Sequence, residues 1–475
     1  MILCEYILWV MDNIQIIKTE KKNYYLVDTD NKIIQLIHPN LAKLFLYEDK
    51  YDCHSYYSKK KKYLERFIQL GSRKISRIKT MTAKDVENNI ITTPQITFEV
   101  TDRCNFACEY CAYGRLYNNH DKRNIMDANI ENSKAFIDYY YSLCKKNNHV
   151  NDKLMIGFYG GEPLMNIGFI RNMVEYIEGR YRRPYKYNIT TNGVLLKRNI
   201  DFLIEKDFSL LISLDGDKDS NSYRIYKGGK QTFDDVKNNI QYIKNNFPEY
   251  YDKNVNFSVV LHNKNSIQEI SDYFMSFYSK VPFVGRVNTA GVNPLYSESF
   301  HDMHQNSSYF NYKNLSSDEI VSKNFLITGR VRFLHNNLFF IYNDYLDIIS
   351  DLKSNFIFPT STCTPFSKKI FITTNGKILP CEKIGHNYCL GNLNNGEISI
   401  EFGEIADKYN NLFQKMYNHF CSSCRMVNNC QTCALQSEQT CKVKGGGAIF
   451  LKSELDFFEA KNDLFLKLVK DAKIV

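Results

Sequence analysis

Nowhere in its 475 residues does the chain hold an unbroken apolar run of the roughly 18 residues that a membrane-crossing helix needs. The apolar opening MILCEYILWV is interrupted by Glu5, with no basic segment before it and no small-residue cleavage site after it, so it reads as structure and not as a signal peptide. Internal repeats are missing as well, which excludes solenoids and propellers. Strong charge imbalance is also missing: 61 Lys and Arg against 52 Asp and Glu leave a net +9, and the longest basic run is the four lysines at 59–62. That pattern describes a solvated surface, so neither a membrane nor a nucleic acid is expected as partner, and the expected location is cytoplasmic.

What is present is apolar content of 44%, enough for two or three separate cores. Between residues 95 and 292, short apolar or alternating runs at 96–100, 154–159, 185–190, 210–214, 255–261 and 284–292 alternate with amphipathic stretches. This is the rhythm of a parallel α/β fold, and six strands suggest a partial (β/α)6 barrel. After the first strand, Ile130, Ile137, Tyr141 and Cys144 share one helix face, which gives Cys144 an ordinary core role. Residues 1–90 form a small α+β module, with a strand pair around 14–37 and a basic helix at 59–70. Residues 91–294 are the core and 295–358 a bridge with a helix near 339–352. Residues 359–450 form a cysteine-rich domain and 451–475 a terminal helix.

Fourteen cysteines in a reducing compartment point to metal where they cluster and to packing where they stand alone, as Cys4 and Cys53 do. Cys104, Cys108 and Cys111 follow the first strand with C-x3-C-x2-C spacing in TDRCNFACEYCAYG. Three close thiolates can hold three irons of a four-iron cluster and leave the fourth open. On spacing alone, iron-sulfur and zinc both stand, although zinc normally wants a fourth protein ligand. GFYGGEPL at 157–164, TTNG at 190–193 and SLDG at 213–216 all fall at the ends of successive candidate strands, the mouth where α/β folds assemble their sites.

With these motifs the chain resembles the radical S-adenosylmethionine (SAM) superfamily. The resemblance implies a barrel in which Cys104, Cys108 and Cys111 hold a SAM-binding four-iron cluster. Reductive cleavage of SAM there gives a deoxyadenosyl radical that abstracts hydrogen from substrate. Gly160 and Gly161 would let the backbone approach the methionine moiety, and Glu162 would accept from its ammonium group. Tyr110 would contact adenine; Thr191, Asn192, Ser213 and Asp215 would contact SAM; Arg224 would pair with its carboxylate. Asn192 and Asp215, each beside a glycine, also read as simple turn residues.

Twelve residues separate Cys363 from Gly376, and four more separate Gly376 from Cys381; Asn375-Gly376 is a hairpin signal that would bring the two thiols together. With Cys421, Cys424, Cys430, Cys433 and Cys441 the pattern resembles the SPASM extension, which carries two auxiliary four-iron clusters. It departs from the family in having two residues, not three, between Cys430 and Cys433. By position, Cys363, Cys381 and Cys433 would serve one cluster and Cys421, Cys424, Cys430 and Cys441 the other, leaving an eighth site for a substrate thiolate, another donor or Cys389. Two structural zinc sites are the alternative.

The resemblance implies an enzyme that modifies a ribosomally made precursor peptide by a thioether or carbon-carbon crosslink, with a flavodoxin or ferredoxin as electron donor. Residues 1–90 would capture a leader peptide by strand addition or else pack as an extension. A second reading is an anaerobic sulfatase maturase that forms formylglycine; those enzymes usually carry Asp where Glu382 follows Cys381. Glu382 is therefore a candidate general base or an exposed hairpin carboxylate. A non-catalytic iron-sulfur scaffold that binds peptide is the third reading, and the intact GGEP segment argues against it.

Overall fold

The computed structural model describes residues 7–11, 14–28, 33–47, 55–71, 77–149, 154–181, 186–288, 290–304, 356–357, 362–421, 433–436, 455–456 and 459–460. The chain divides into two compact units, one of Met1–Thr80, Asn311–Thr362 and Asn410–Val475, the other of Met81–Phe310 and Cys363–Tyr409. No helix among the described residues is long and apolar enough to cross a membrane.

In the first unit β1 (Ile7–Met11), β2 (Ile14–Lys18), β3 (Tyr24–Asp28) and β4 (Ile33–Ile37) make an antiparallel meander in chain order. A strand pair was expected between 14 and 37; three strands formed there, β2 pairing with β3 and β3 with β4, and the apolar opening adds β1 on the other side of β2 in the register Ile7↔Ile17. Helix α1 (Pro39–Leu46) starts on His38, whose ring accepts from the Asn40 N–H, and proline at its first position costs no hydrogen bond. With α2 (Ser55–Gly71), which contains the expected basic helix, it closes a core of Ile14, Ile16, Leu26, Ile37, Leu41, Phe45 and Leu64. A short strand, β5 (Arg77–Ile78), follows.

The second unit begins with α3 (Ala83–Ile91), whose Thr82 and Asp85 form a reciprocal capping box. Six parallel strands come next: β6 (Gln95–Thr101), β7 (Met155–Gly160), β8 (Lys186–Thr191), β9 (Ser209–Ser213), β10 (Val255–Leu261) and β11 (Phe283–Arg286), hydrogen-bonded in chain order. All six expected strands are present. The last is shorter than its apolar run, because the chain bends after Arg286 and Val292 makes an antiparallel bridge with Tyr117 instead. Helix α4 (Ile130–Lys146) buries Ile137, Tyr141 and Cys144 as its spacing predicts, and the Cys144 thiol lies against the Ile91 carbonyl. Helices α5 (Ile167–Arg180), α6 (Leu196–Glu205), α7 (Phe233–Asn246), α8 (Pro248–Asn254) and α9 (Ile267–Tyr278) separate the later strands, and α10 (Ser297–His304) follows β11.

Parallel strands covered on both faces usually read apolar throughout. Here β6 alternates: Ile96, Phe98 and Val100 are wholly buried apolar residues, whereas Gln95, Thr97, Glu99 and Thr101 put polar groups on the other face. Gln95 Nε2 donates to Thr97 Oγ1 at 2.9 Å and to Asn188 Oδ1 on β8 at 3.4 Å, so this polar face is internally paired at its base.

Back in the first unit, β12 (Phe356–Ile357) is the parallel partner of β5. The second unit's sheet continues past β6 through β13 (Ile370–Ile372), parallel to it, then antiparallel through β14 (Lys377–Leu379), β15 (Gly391–Asn394) and β16 (Glu397–Ser399), making ten strands. The β13–β14 hairpin turns at Gly376, whose φ of +80 suits glycine, as the Asn-Gly signal predicts. Helix α11 (Phe402–Met416) follows. The expected helix at 339–352 lies outside the described residues, as do Cys4, Cys53 and most of 451–475.

Candidate active site

The ends of β6 to β10 and the loops that leave them carry the candidate residues. After β6 the chain makes a long excursion that Asp102 closes: its carboxylate accepts from the N–H groups of Asn124 at 2.8 Å and Met126 at 2.6 Å. Arg103 grips Asp127 through Nη2 at 2.6 Å, binding the same base of the loop. Within it, Cys111 N–H donates to the Cys108 carbonyl at 3.1 Å and Gly114 N–H to the Cys111 carbonyl at 2.8 Å, two consecutive turns that bring the thiol-bearing residues round. The loop is tied to the segment after β9 by Ala107 N–H to the Ile225 carbonyl and Glu109 N–H to the Tyr223 carbonyl.

Burial pushes the Cys104 thiol up to about 11 and the Cys108 thiol up to about 12; Cys104 also feels Glu162 and Cys111, and Cys108 feels both other cysteines of the loop. Such thiols stay protonated until something positive replaces the proton, which is the donor chemistry an iron-sulfur cluster demands of its ligands. Among the described residues no three metal-ligating side chains are arranged around a single ion. The three thiols of a four-iron cluster need not be, since each stands on a different iron.

The GGEP segment follows β7 and lies against the first loop. Gly161 N–H donates to the Thr101 carbonyl and Glu162 N–H to the Arg103 carbonyl, both at 2.8 Å. Any Cβ at Gly161 would overlap the Arg103 carbonyl oxygen, and Gly160, at φ +139, would bring one onto the Thr101 carbonyl. Both glycines are thus needed so that this backbone can touch the backbone leading into Cys104, a use the sequence reading did not foresee.

Glu162 is fully buried. Its Oε1 accepts from Thr191 Oγ1 at 2.7 Å and Leu164 N–H at 3.1 Å, and its Oε2 from Asn192 N–H at 2.7 Å. Burial nevertheless raises the carboxyl to about 7, because these neutral donors only partly offset the lost solvation. A site of this kind gains from a cation. Asn192 also donates from Nδ2 to Asn105 Oδ1 at 2.7 Å, beside Cys104. The loop after β6 and the ends of β7 and β8 are therefore one hydrogen-bonded network. Ser213, half-buried, ends β9 in register with Ser258 of β10.

Asp215, two residues past β9, is neither a turn residue alone nor free. It is wholly buried; Arg224 Nη2 meets Oδ1 and Arg224 Nε meets Oδ2, both at 3.0 Å, while Val260 N–H donates to Oδ1 at 2.9 Å. The Tyr110 hydroxyl also donates to Oδ2. Burial alone would raise this carboxyl, but the Arg224 guanidinium holds it down at about 2. Arg224, read from sequence as a partner for a ligand carboxylate, thus spends two donors on Asp215. His262 completes the cluster, stacked on Tyr110 at 5.8 Å and 3.7 Å from Asp215 Oδ2. The sequence reading missed it, although it directly follows β10 and the strand-end rule that found the other residues points to it.

Glu382 is half-buried and bonded to Lys369 Nζ at 2.9 Å, so it is not an exposed hairpin carboxylate. Burial acts to raise it, but Lys369 outweighs burial and holds it below the usual range. Cys381 is half-buried and Cys363 exposed. The Cys389 thiol donates to the Gly391 carbonyl at 2.9 Å. In the other unit Cys421 is buried with Met416 and Ala434, and Cys433 is half-buried. Cys424, Cys430 and Cys441 lie outside the described residues.

Residues 98–274 match the radical SAM superfamily, whose members use SAM and a four-iron cluster. The radical SAM cyclopropyl synthase TigE of Paramaledivibacter caminithermalis is 24% identical over 386 residues, 77% of this chain and 71% of that protein. A cysteine-type anaerobic sulfatase-maturating enzyme of Clostridium perfringens is 26% identical over 288 residues, 59% of this chain and 71% of that one. Among solved structures, native anSMEcpe with bound AdoMet has the same fold, with a TM-score of 0.51 and 21% identity over 80% of this chain and all of that one. The form of that protein with AdoMet and the Kp18Cys peptide gives a TM-score of 0.50 at 20% identity.

Proposed function

We propose that this chain, which carries a radical SAM domain, uses it to modify a peptide, forming a carbon-carbon or thioether crosslink in a ribosomally made precursor. The observation that carries the reading is the single network joining the Cys104–Cys108–Cys111 loop, the GGEP segment and Asn192 at one end of the parallel sheet. In this proposal the three thiolates hold the cluster that, with SAM, supplies a carbon-centred radical for hydrogen abstraction. Gly160 and Gly161 keep the loop seated. Glu162, raised toward neutrality by burial, accepts from the SAM ammonium group and regains its charge. Thr191 and Asn192 fix Glu162, Tyr110 and Ser213 flank the cofactor, and Asp215 holds Tyr110 and Arg224 in place. The C-terminal thiols Cys363, Cys381, Cys421, Cys424, Cys430, Cys433 and Cys441 serve two auxiliary clusters, and a flavodoxin or ferredoxin in the cytoplasm supplies the electron.

A peptide as substrate is supported by the Kp18Cys peptide bound to the solved relative. Formylglycine formation is the second reading. The Lys369 contact speaks against it: a carboxylate held well below neutral pH is a poor general base. The test is anaerobic reconstitution with iron and sulfide, then reduction with SAM in the presence of the product of any short reading frame found beside the gene, and separately of a sulfatase peptide. The expected result is 5'-deoxyadenosine with a peptide that has lost a pair of hydrogens. A cysteine of a sulfatase peptide that exchanges its sulfur for oxygen and also loses two hydrogens, giving the aldehyde, would establish the second reading instead, and no 5'-deoxyadenosine would overturn both.

The same proposal assigns leader capture to β4, an outer strand of the N-terminal meander. Its Leu36 is 58% exposed, apolar surface that an added strand would cover. Leu36→Glu is expected to weaken precursor affinity about ten-fold, the worth of one apolar side chain lost from a contact. Unchanged affinity in a fluorescence-anisotropy titration would leave the meander as a packing extension.

A further inference from the structure

Helix α2 of the N-terminal meander turns two faces to different surroundings. Tyr57, Lys61 and Leu64 look inward: Leu64 is buried in the core, Tyr57 packs against it with its hydroxyl 3.3 Å from His38 Nε2, and the Lys61 ammonium lies 5.5 Å from the centre of the Phe45 ring. At about 3.6 residues per turn, the opposite face carries Tyr56, Lys59, Lys60, Tyr63 and Arg66 at i, i+3, i+4, i+7 and i+10. All five are exposed, Tyr56 and Tyr63 by 62% each. One exposed aromatic side chain is ordinary on a protein surface. Here two stand on one stripe, two turns apart, with lysines between them, and the Lys60 ammonium lies 5.6 Å from the centre of the Tyr63 ring.

The stripe has cations and no carboxylate. Among the described residues, Lys59, Lys60 and Arg66 have no acidic partner; Glu65, the one acid in the helix sequence, sits off the stripe and pairs with Lys61 at 3.6 Å. Exposed Lys62 flanks the stripe, at i+3 from Lys59 and at i−4 from Arg66, so like charges repel along this face. From sequence the run at 59–62 reads as solvated surface; the structure adds that Tyr56 and Tyr63 share its outward side. Cations at this density favour an anionic partner, and tyrosine rings favour one that also offers apolar groups to cover them. A single-stranded nucleic acid follows a basic track longer than one helix face of about 15 Å, and the other cations of the chain are scattered among 52 acids. A peptide segment in which Asp or Glu stands beside large apolar residues matches both the charge and the length.

We infer that the outward stripe of α2, formed by Tyr56, Lys59, Lys60, Tyr63 and Arg66, is a docking surface for an acidic, partly apolar segment of the peptide substrate. The inference deepens the reading of the substrate as a peptide and rests on it. The lysines and Arg66 attract the segment and select its charge, while the two tyrosine rings cover its apolar side chains and supply the contact that salt does not screen.

The probe is a fluorescein-labelled dodecapeptide of repeated Leu-Glu-Glu units, titrated into the anaerobically reconstituted full chain, with Leu-Gln-Gln and Leu-Lys-Lys versions and a twelve-nucleotide oligothymidylate in parallel. The wild-type protein is expected to bind the Glu peptide at least about ten-fold tighter than the Gln peptide, with a preference that shrinks as salt is raised. Lys59→Glu combined with Lys60→Glu should weaken the Glu peptide about ten-fold and strengthen the Lys peptide, since two attractions become repulsions. Tyr56→Ser combined with Tyr63→Ser should weaken the Glu peptide about five-fold and keep its preference over the Gln peptide. Equal affinity for the Glu and Gln peptides in the wild type, or an undiminished preference after charge reversal, would reduce the stripe to a solvated face. Tighter binding of the oligothymidylate than of the Glu peptide at the same ionic strength would overturn the peptide as partner. Should a variant fail to fold, the wild-type series still decides. SAM cleavage without peptide should be the same in the wild type and both variants; its absence from the wild type overturns the functional reading and leaves the peptide titrations standing.

Discussion

Alanine in place of Cys104, Cys108 or Cys111, one at a time, is expected to abolish reductive SAM cleavage, lowering the rate at least about 10³-fold in each case, because in the proposed assignment the three are ligands of one cluster, and such ligands act as a unit whose losses do not add. Iron content separates this from general collapse. A chain with three four-iron clusters reconstitutes with about twelve irons, and each of these variants should keep roughly eight of them. The three thiols sit in a loop whose ends are held by Asp102, Arg103 and the contacts to Ile225 and Tyr223, none of which passes through sulfur. Removing one Sγ should therefore leave the loop's path intact, and circular dichroism should match the parent protein. Full cleavage in any one variant would sink the assignment of that cysteine. Two zinc atoms and about four irons in the parent protein would make the C-terminal thiols zinc ligands.

The second large effect is on stability. Asp215→Asn leaves Arg224 as a buried guanidinium with no counter-charge, and should cost about 3–5 kcal/mol by urea unfolding, as expected for one partner removed from a buried pair. Asp215→Asn combined with Arg224→Met should cost less than the sum of the two single changes, since the stranded charge is then gone. The pH dependence follows from the depressed carboxyl. Asp215 is held at about 2 in the folded chain against an unfolded value near 3.8. A carboxyl lowered on folding contributes stability that is fully present above its unfolded value and is lost as pH falls through the folded one. The contribution, about 2 kcal/mol, should therefore disappear between roughly pH 4 and pH 2. The Asp215→Asn variant should lack that component of acid sensitivity, and identical acid titrations of variant and parent would refute the coupling.

Most of the scaffold was legible in the sequence because it is written in short-range pattern. Apolar runs of strand length separated by amphipathic helices pointed to all six parallel strands, and Asn375-Gly376 to the β13–β14 turn. The last strand was overextended because an apolar run looks the same whether it pairs in a sheet or, like Val292, bridges to a distant loop at Tyr117. The pair expected between 14 and 37 proved to be three strands, because the short polar stretch between Asp28 and Ile33 does not by itself mark the turn between β3 and β4, and the apolar opening added a fourth.

The site divides along the same line. By itself the sequence determined that Cys104, Cys108 and Cys111 share a loop, that GGEP, TTNG and SLDG sit at strand ends, and hence that they meet, since a parallel sheet puts the ends of all its strands on one edge. Which polar groups bind one another was settled by the tertiary structure. Arg224 turned to Asp215, Glu382 to Lys369, and Gly160 and Gly161 to the backbone of Thr101 and Arg103. Arg123 reached across to Glu99 on β6. The reason is physical: periodicity and spacing record which face a residue occupies, whereas a buried charge takes the partner that packing brings within about 3 Å, and burial makes that choice worth several kcal/mol.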